Sequence, residues 1–234
     1  MVAFQFKQFS ISQEHAALKL GTDAVLLGCL TSFQNPTSIL DVGTGTGILS
    51  LIMAQKYPCP ITAIDIDENA IIDANININA SPWRDRITVQ QISLQDFANS
   101  TTQRFDAIIC NPPFFTNGIL SPEKSKATAR HNIELTAETF FSSVAAISAE
   151  TCCVSIILPT SEKTRYTDSA TNNNFYLVQE TTIFPFENSE NPNRTILRFS
   201  KQWEPFTSSK LSIRKDKSTY SNEYKELTKD LYLD

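Results

Sequence analysis

The chain predicts an α/β fold: a mostly parallel sheet with helices on both faces. Three observations predict it. Short apolar runs alternate with helix-length runs from residue 38 to residue 172, the pattern of strands joined by crossover helices. Two of the apolar runs stop abruptly in loop chemistry, one in Gly43 to Gly47 and one in Asn111-Pro112-Pro113. At 234 residues and 41% hydrophobic content, the chain suffices for one domain of generous size. The expected organisation is therefore a single domain over 1–234, with 1–35 as a lead-in and 205–234 as a tail.

Taken in order, Phe4, Phe6, Phe9 and Ile11 recur at spacing two or three, followed by Ala16, Ala17, Leu18 and Leu20, which reads as a short extended lead-in. Gly21, Thr22 and Asp23 make a turn rich in helix-capping residues, and Ala24 to Leu30 supply an apolar helix. Ser38 to Val42 is a short strand that runs straight into Gly43-Thr44-Gly45-Thr46-Gly47, and Ile48 to Ala54 continue as a helix. Half of the six glycines in the chain lie in that turn. Glycines there permit positive φ and close approach of a ligand to the backbone, in front of a helix amino terminus that favours carboxylate or phosphate.

The spacing is Gly-x-Gly-x-Gly, not the Gly-x-Gly-x-x-Gly of nicotinamide-binding folds, which disfavours an oxidoreductase. Asp41 precedes the turn on its strand. The next strand, Ile61 to Asp65, ends in an acid 18 residues after Gly47, suited to accepting both hydroxyls of a ribose. Asp67 reads as the cap of a helix from Glu68 to Asn79. A third strand, Ile87 to Ile92, leads to Asp96, which either accepts from an adenine amine or caps a loop.

The fourth strand, Phe105 to Cys110, is apolar throughout apart from Asp106 and ends because two prolines cannot donate to a ladder. Pro112 also pushes Asn111 out of the helical region, which places its amide at the rim of the sheet, where open α/β folds hold their chemistry. An exocyclic amine on a base is a poor nucleophile because its lone pair is delocalised into the ring. The Asn111 side-chain oxygen and the Pro112 carbonyl are acceptors that would localise it, and Phe114 offers a stacking face. Taken alone, the tetrapeptide fits a plain turn equally well.

Beyond it, 115–126 reads as an exposed loop followed by Lys124, Lys126, Arg130 and His131, a group that either grips phosphate or is simply solvated. Helices are expected over 136–149 and 161–172, strands over 152–158, 173–184 and 193–199, and a docked helix within 220–233, where Tyr224, Leu227 and Leu231 share one face.

The net charge of -5 does not mark a nucleic-acid binder as a whole. Residues 194–217, however, carry seven basic side chains (Arg194, Arg198, Lys201, Lys210, Arg214, Lys215, Lys217) against Glu204 and Asp216, and a local patch suffices for contact with phosphates. The five cysteines are odd in number and lack C-x-x-C spacing, so small buried thiols in a reducing compartment are expected, with no disulfide and no metal. Residues 1–10 lack the continuous apolar stretch of a signal peptide, and no run reaches the ~20 apolar residues of a bilayer span. A cytoplasmic monomer is expected.

Asp41 to Gly47, Asp65, Asp96 and Asn111 to Phe114, in that order after successive strands, resemble the motif series of class I S-adenosylmethionine-dependent methyltransferases. The resemblance extends through Phe6-Lys7-Gln8-Phe9, Gly21-Thr22-Asp23-Ala24-Val25-Leu26-Leu27-Gly28, Ala129-Arg130-His131 and Tyr224 to Leu233. Over nearly the full length it is to the bacterial tRNA(Val) (adenine-37) N6-methyltransferase family. It implies a Rossmann-like seven-stranded sheet with one antiparallel strand, S-adenosyl-L-methionine as donor, and adenine in the tRNA anticodon stem-loop as target.

Carried over by position, the resemblance implies Gly43, Gly45 and Gly47 against the methionine part, with Asp41 beside them. It implies Asp65 on the ribose, Asp96 on the cofactor adenine, and Asn111, Pro112 and Phe114 at the target base, with Asn111 also against the cofactor. The rival readings are a guanine-N2 rRNA methyltransferase, a glutamine N5 protein methyltransferase and a non-catalytic RNA-binding module. The glutamine enzymes typically carry Tyr where this chain has Phe114.

Overall fold

The computed structural model describes residues 3–17, 19–112 and 135–233. Of the residues singled out above, Leu18, Pro113, Phe114 and the 115–134 stretch with Lys124, Lys126, Arg130 and His131 lie outside them. Strands β1 (Phe4–Gln5) and β2 (Ser10–Ile11) form a two-residue antiparallel ladder. Then follow α1 (Thr22–Leu30), β3 (Ile39–Val42), α2 (Ile48–Lys56), β4 (Ile61–Asp65) and α3 (Glu68–Asn79). After these come β5 (Ile87–Gln91), α4 (Leu94–Ser100), β6 (Phe105–Cys110), α5 (Ala137–Ile147), β7 (Ser148–Pro159) and α6 (Lys163–Asn172). The chain closes with β8 (Tyr176–Phe186), β9 (Arg194–Ser200), β10 (Thr207–Arg214) and α7 (Asn222–Thr228).

The main sheet has the order β10-β8-β9-β7-β6-β3-β4-β5. Only β9 runs against its neighbours, as the resemblance implies. The strand count differs: among the described residues the sheet has eight strands, not seven, because Thr207–Arg214, expected to be part of a tail, pairs in parallel with β8 at the edge. Its first four residues are all exposed, so it lacks the continuous apolar run that marks the buried strands.

Alternation along the strands divides the core into two layers. Ile39, Ala107, Ile109 and Ile157 face α1, α2 and α3, while Leu40, Val42, Ile108, Cys110, Val154 and Ile156 face α4, α5 and α6. Gly28 lets α1 approach α2, since a Cβ there would lie 2.7 Å from Ile52. Lys56 reaches back from the end of α2 to the carbonyls of Gly28, Cys29 and Thr31, satisfying the carboxyl end of α1.

The two ends of the described chain meet on the α1/α2 side. The Lys7 N–H donates to the Leu231 carbonyl, and Phe6 stacks on Tyr232. All five cysteines are free thiols. Among the described residues, no helix is long and apolar enough to cross a membrane.

Candidate active site

The site is set by sheet register. Val42 lies opposite Ile64 on one side and Cys110 on the other, so the next residues, Gly43, Asp65 and Asn111, form one row across the carboxyl rim of three adjacent parallel strands. With strands ~4.8 Å apart, Asp65 and Asn111 flank Gly43 across roughly 10 Å, about the width of a nucleoside. Residues distant in sequence are thus brought to one crevice, at the point where successive strands turn to opposite sides of β3.

Gly43, Gly45 and Gly47 have φ of +70, +57 and +84°, left-handed conformations that other residues adopt only with strain. A Cβ on Gly43 or Gly45 would meet no atom within 4 Å. Their conformation therefore serves an open cradle above the turn. Gly47 packs instead against α3, where a Cβ would sit 3.4 Å from Ile78.

Two acids, one fully buried and one half-buried, hold the turn in shape. Asp41 is fully buried, and its Oδ2 accepts from Thr44 Oγ1 (2.6 Å), Ser50 Oγ (2.7 Å) and Ser50 N–H (3.0 Å). Among the described residues its Oδ1 has no hydrogen-bond partner. Burial pushes the carboxyl up to about 6 against the pull of those donors. Asp65 accepts the Gly45 N–H on Oδ2 (2.9 Å) and the Asp67 N–H on Oδ1 (3.0 Å). One further lone pair on each oxygen remains for a ligand. Burial, opposed by those backbone donors, raises its pKa as well.

Asn111 is half-buried, Pro112 is buried, and among the described residues the Asn111 amide has no hydrogen-bond partner. It is an uncommitted donor and acceptor at the rim. Asp96 sits in the first turn of α4, where its carboxylate accepts from Ser93 Oγ (2.7 Å) while that same oxygen accepts the Asp96 N–H (3.0 Å). Ser93 is therefore the cap of α4, and Asp96 holds the capping hydroxyl from within the helix rather than capping a loop itself. Asp67 caps α3 as expected, accepting the Asn69 N–H.

Thr22 and Asp23 do not cap α1. Gly21 occupies the cap position without a side-chain bond, and Asp23, inside the first turn, pairs with Arg194 at 2.7 Å. Ile66, 40% exposed directly after Asp65, is an apolar surface at the site that sequence reading missed; its only signal was adjacency to the acid.

The seven basic residues of 194–217 do not form one patch. Arg194 is paired with Asp23, and Arg198 with Glu204 at 2.7 Å. Lys201 follows Ser200, which lies opposite Cys153, near the far end of the sheet. Of the rest, Lys210 and Arg214 lie in β10, and Lys215 and Lys217 come just after it. Register carries Cys110 to Ile156, Leu197, Glu180 and Ser208, so Arg214 rises six residues past that row on the rim side. Its guanidinium lies over Tyr220 at 4.3 Å, with exposed Lys215 and Lys217 beyond.

A family model of the methyltransferase small domain matches residues 14–139. The chain is 38% identical to the tRNA1(Val) (adenine(37)-N6)-methyltransferase of Phocaeicola vulgatus over 98% of this chain and 97% of that one. It is 36% identical to the protein of the same description from Pseudoalteromonas translucida, over 100% and 99%. Among solved structures, a predicted O-methyltransferase, Atu636, from Agrobacterium tumefaciens matches with a TM-score of 0.70 at 16% identity, over 89% of this chain and 96% of that one. The ribosomal protein L11 methylase from Lactobacillus delbrueckii subsp. bulgaricus matches at 0.54 and 18%, over 78% of each. These two likenesses show the fold, whereas the full-length relatives show the family. By its identity to these relatives over nearly the whole of both chains, the chain belongs to the tRNA1(Val) (adenine(37)-N6)-methyltransferase family.

Proposed function

We propose that the protein transfers a methyl group from S-adenosyl-L-methionine to the exocyclic N6 amine of adenine 37 in tRNA(Val), reached in the anticodon stem-loop. The observation that carries this reading is the row Asp65, Gly43, Asn111. The residues present fit the donor. Gly43 and Gly45 leave an open cradle for its methionine part, and buried Asp41, its Oδ1 unpaired among the described residues, places negative charge beneath it. Asp65 has one acceptor site per oxygen left for two ribose hydroxyls, and Ile66 offers an apolar surface beside them. Asp96 is assigned to the cofactor adenine.

When bound, the donor supplies an electrophilic methyl on a sulfonium. The chain's own part is positioning. The Asn111 side-chain oxygen and the Pro112 carbonyl accept the two amine N–H groups, which localises the nitrogen lone pair toward the methyl, while Phe114 stacks on the base. The N–C bond forms as the S–C bond breaks, and the amine proton leaves to water. No general base of tuned pKa is required. An anticodon loop is partly unpaired, which lowers the cost of drawing a base into the pocket. The basic end of β10 contacts RNA phosphates. The whole chain, 1–234, acts as one methyltransferase domain, monomeric, without a metal, in the cytoplasm.

Nucleoside analysis of tRNA from cells lacking the protein tests this. N6-methyladenosine should disappear from tRNA(Val), and purified protein with labelled donor should restore it on bulk tRNA. Retention of the modification would favour the rRNA or protein substrates instead.

A further inference from the structure

On α3, Asp73 and Asn77 lie four residues apart and therefore on one face. Both are buried, at 0% and 3% exposure, and neither is explained by the packing of the sheet. Asp73 Oδ2 accepts the backbone N–H groups of His15 (3.0 Å) and Ala16 (2.7 Å), and Oδ1 meets His15 Nδ1 at 2.8 Å. Asn77 Oδ1 accepts the Ser12 N–H at 2.7 Å. Its Nδ2 donates one hydrogen to the Ser12 carbonyl and the other to the Thr46 carbonyl, both at 2.8 Å.

That last pair matters most. Thr46 stands inside the glycine turn, between Gly45, whose N–H is held by Asp65, and Gly47, whose N–H donates to the Thr44 carbonyl. One amide therefore ties the lead-in at Ser12 to the cradle at Thr46. Burial alone would push the Asp73 carboxyl up, but the donors from Ala16 and His15 outweigh it and hold it below the usual range, so the clamp is a charged one near neutral pH. The matched family domain begins at residue 14, inside this lead-in and well before the first strand of the main sheet.

We propose that Asp73 and Asn77 are positioning residues that couple docking of the lead-in, residues 12–16, to the shape of the glycine turn and so set the affinity for the methyl donor. The proposal rests on the cofactor reading above. Neither side chain need touch the donor. Each acts through the backbone it holds, and coupling between the two events is reciprocal: what tightens the turn tightens the lead-in, and the reverse.

The first test uses the wild-type protein. Saturating S-adenosylmethionine should slow hydrogen exchange at the Ser12, His15 and Ala16 amides by about tenfold, the scale of one or two coupled hydrogen bonds. Unchanged exchange in protein that calorimetry shows to bind the donor overturns the coupling while leaving the cofactor reading intact. Absence of donor binding by wild-type protein overturns both.

The second test is kinetic. Asn77→Ala and Asp73→Ala should raise KM for the donor about tenfold with kcat at saturating donor unchanged, because the reacting atoms are not touched. Asp73→Asn keeps an acceptor for the Ala16 amide and should recover most of the loss. A merely structural anchor would lower thermal stability without this split. Wild-type KM in a folded variant, or a fall in kcat with KM unchanged, refutes the assignment. Should the alanine variants fail to fold, the exchange experiment decides.

Discussion

Replacing Asp65 by Ala is the most direct probe of the cofactor assignment, and the structure supplies its magnitude. Each carboxylate oxygen already accepts one backbone N–H, from Gly45 at 2.9 Å and from Asp67 at 3.0 Å. Each therefore has one acceptor site left, and the two match the two hydroxyls of a ribose. A hydrogen bond to a charged acceptor contributes about 1.5 to 3 kcal/mol, so losing two weakens binding by about 3 to 6 kcal/mol, roughly 10² to 10⁴-fold. Burial raises the Asp65 pKa, so part of the gain is used to keep the group ionised, and the lower end of that range is expected.

The fold should survive this change. Asp65 is half-buried at the end of its strand, and water can take over the Gly45 and Asp67 amides. Asp65→Asn should fall between Ala and wild type, because its amide nitrogen would face the N–H of Asp67 or of Gly45, donor against donor. The assay is titration calorimetry with S-adenosylmethionine at about pH 7.5, well above the ordinary carboxylate range, with circular dichroism and thermal melting as checks on folding. A folded Asp65→Ala protein whose affinity lies within about twofold of wild type would refute the ribose contact, and with it the logic of the row across the rim.

Other predictions follow from the same geometry. The Asp41 carboxyl, raised from 3.8 to about 6, contributes stability that is complete below about pH 4 and lost as pH rises through about 6, on the order of 3 kcal/mol. The difference in unfolding free energy between wild type and Asp41→Asn should fall by that order between about pH 4 and about pH 7, and a flat difference would show that Asp41 is not buried in this way. Asn111→Ala should retain the donor and most tRNA affinity yet lose ~10² to 10³-fold in single-turnover rate. Asn111→Asp should keep partial activity, and wild-type rates in both would reduce Asn111 to the end of a strand. Replacing Lys215 and Lys217 by Ala should weaken tRNA binding and shrink the salt slope by about one for each phosphate that is no longer neutralised. Donor affinity should be unchanged, whereas an unaltered slope would remove the β10 end from the RNA surface.

Local chemistry made much of this protein legible from its sequence. Three glycines in five positions between a strand and a helix mark a turn that permits positive φ, and all three adopt it. Asp67 announces the start of α3 because its cap bond reaches just two residues, and Pro112 with Pro113 must end β6 because prolines lack the donor a ladder needs. The order of strands and helices through residue 172 follows from periodicity except for α4, whose seven residues are too short to show a helical repeat where a loop around Asp96 is expected, and the motif series at the strand ends follows from that order. Each of these signals is contained within a few residues.

Pairings between residues far apart in the chain emerge only once it is folded. An edge strand with four exposed residues leaves no apolar signature, so β10 emerged only through its register with β8. Asp23 carries the marks of a cap, but the approach of β9 gives it Arg194 instead. The basic run at 194–217 is contiguous in sequence, yet strand reversal sends Lys201 toward one end of the sheet and Arg214 to the other. Asp73 and Asn77 read simply as polar residues on a helix until the lead-in is seen folded over them. Register is decided by interactions over the whole sheet, and no single segment encodes it; that is why Asp65, Gly43 and Asn111 become one row only when β4, β3 and β6 lie side by side.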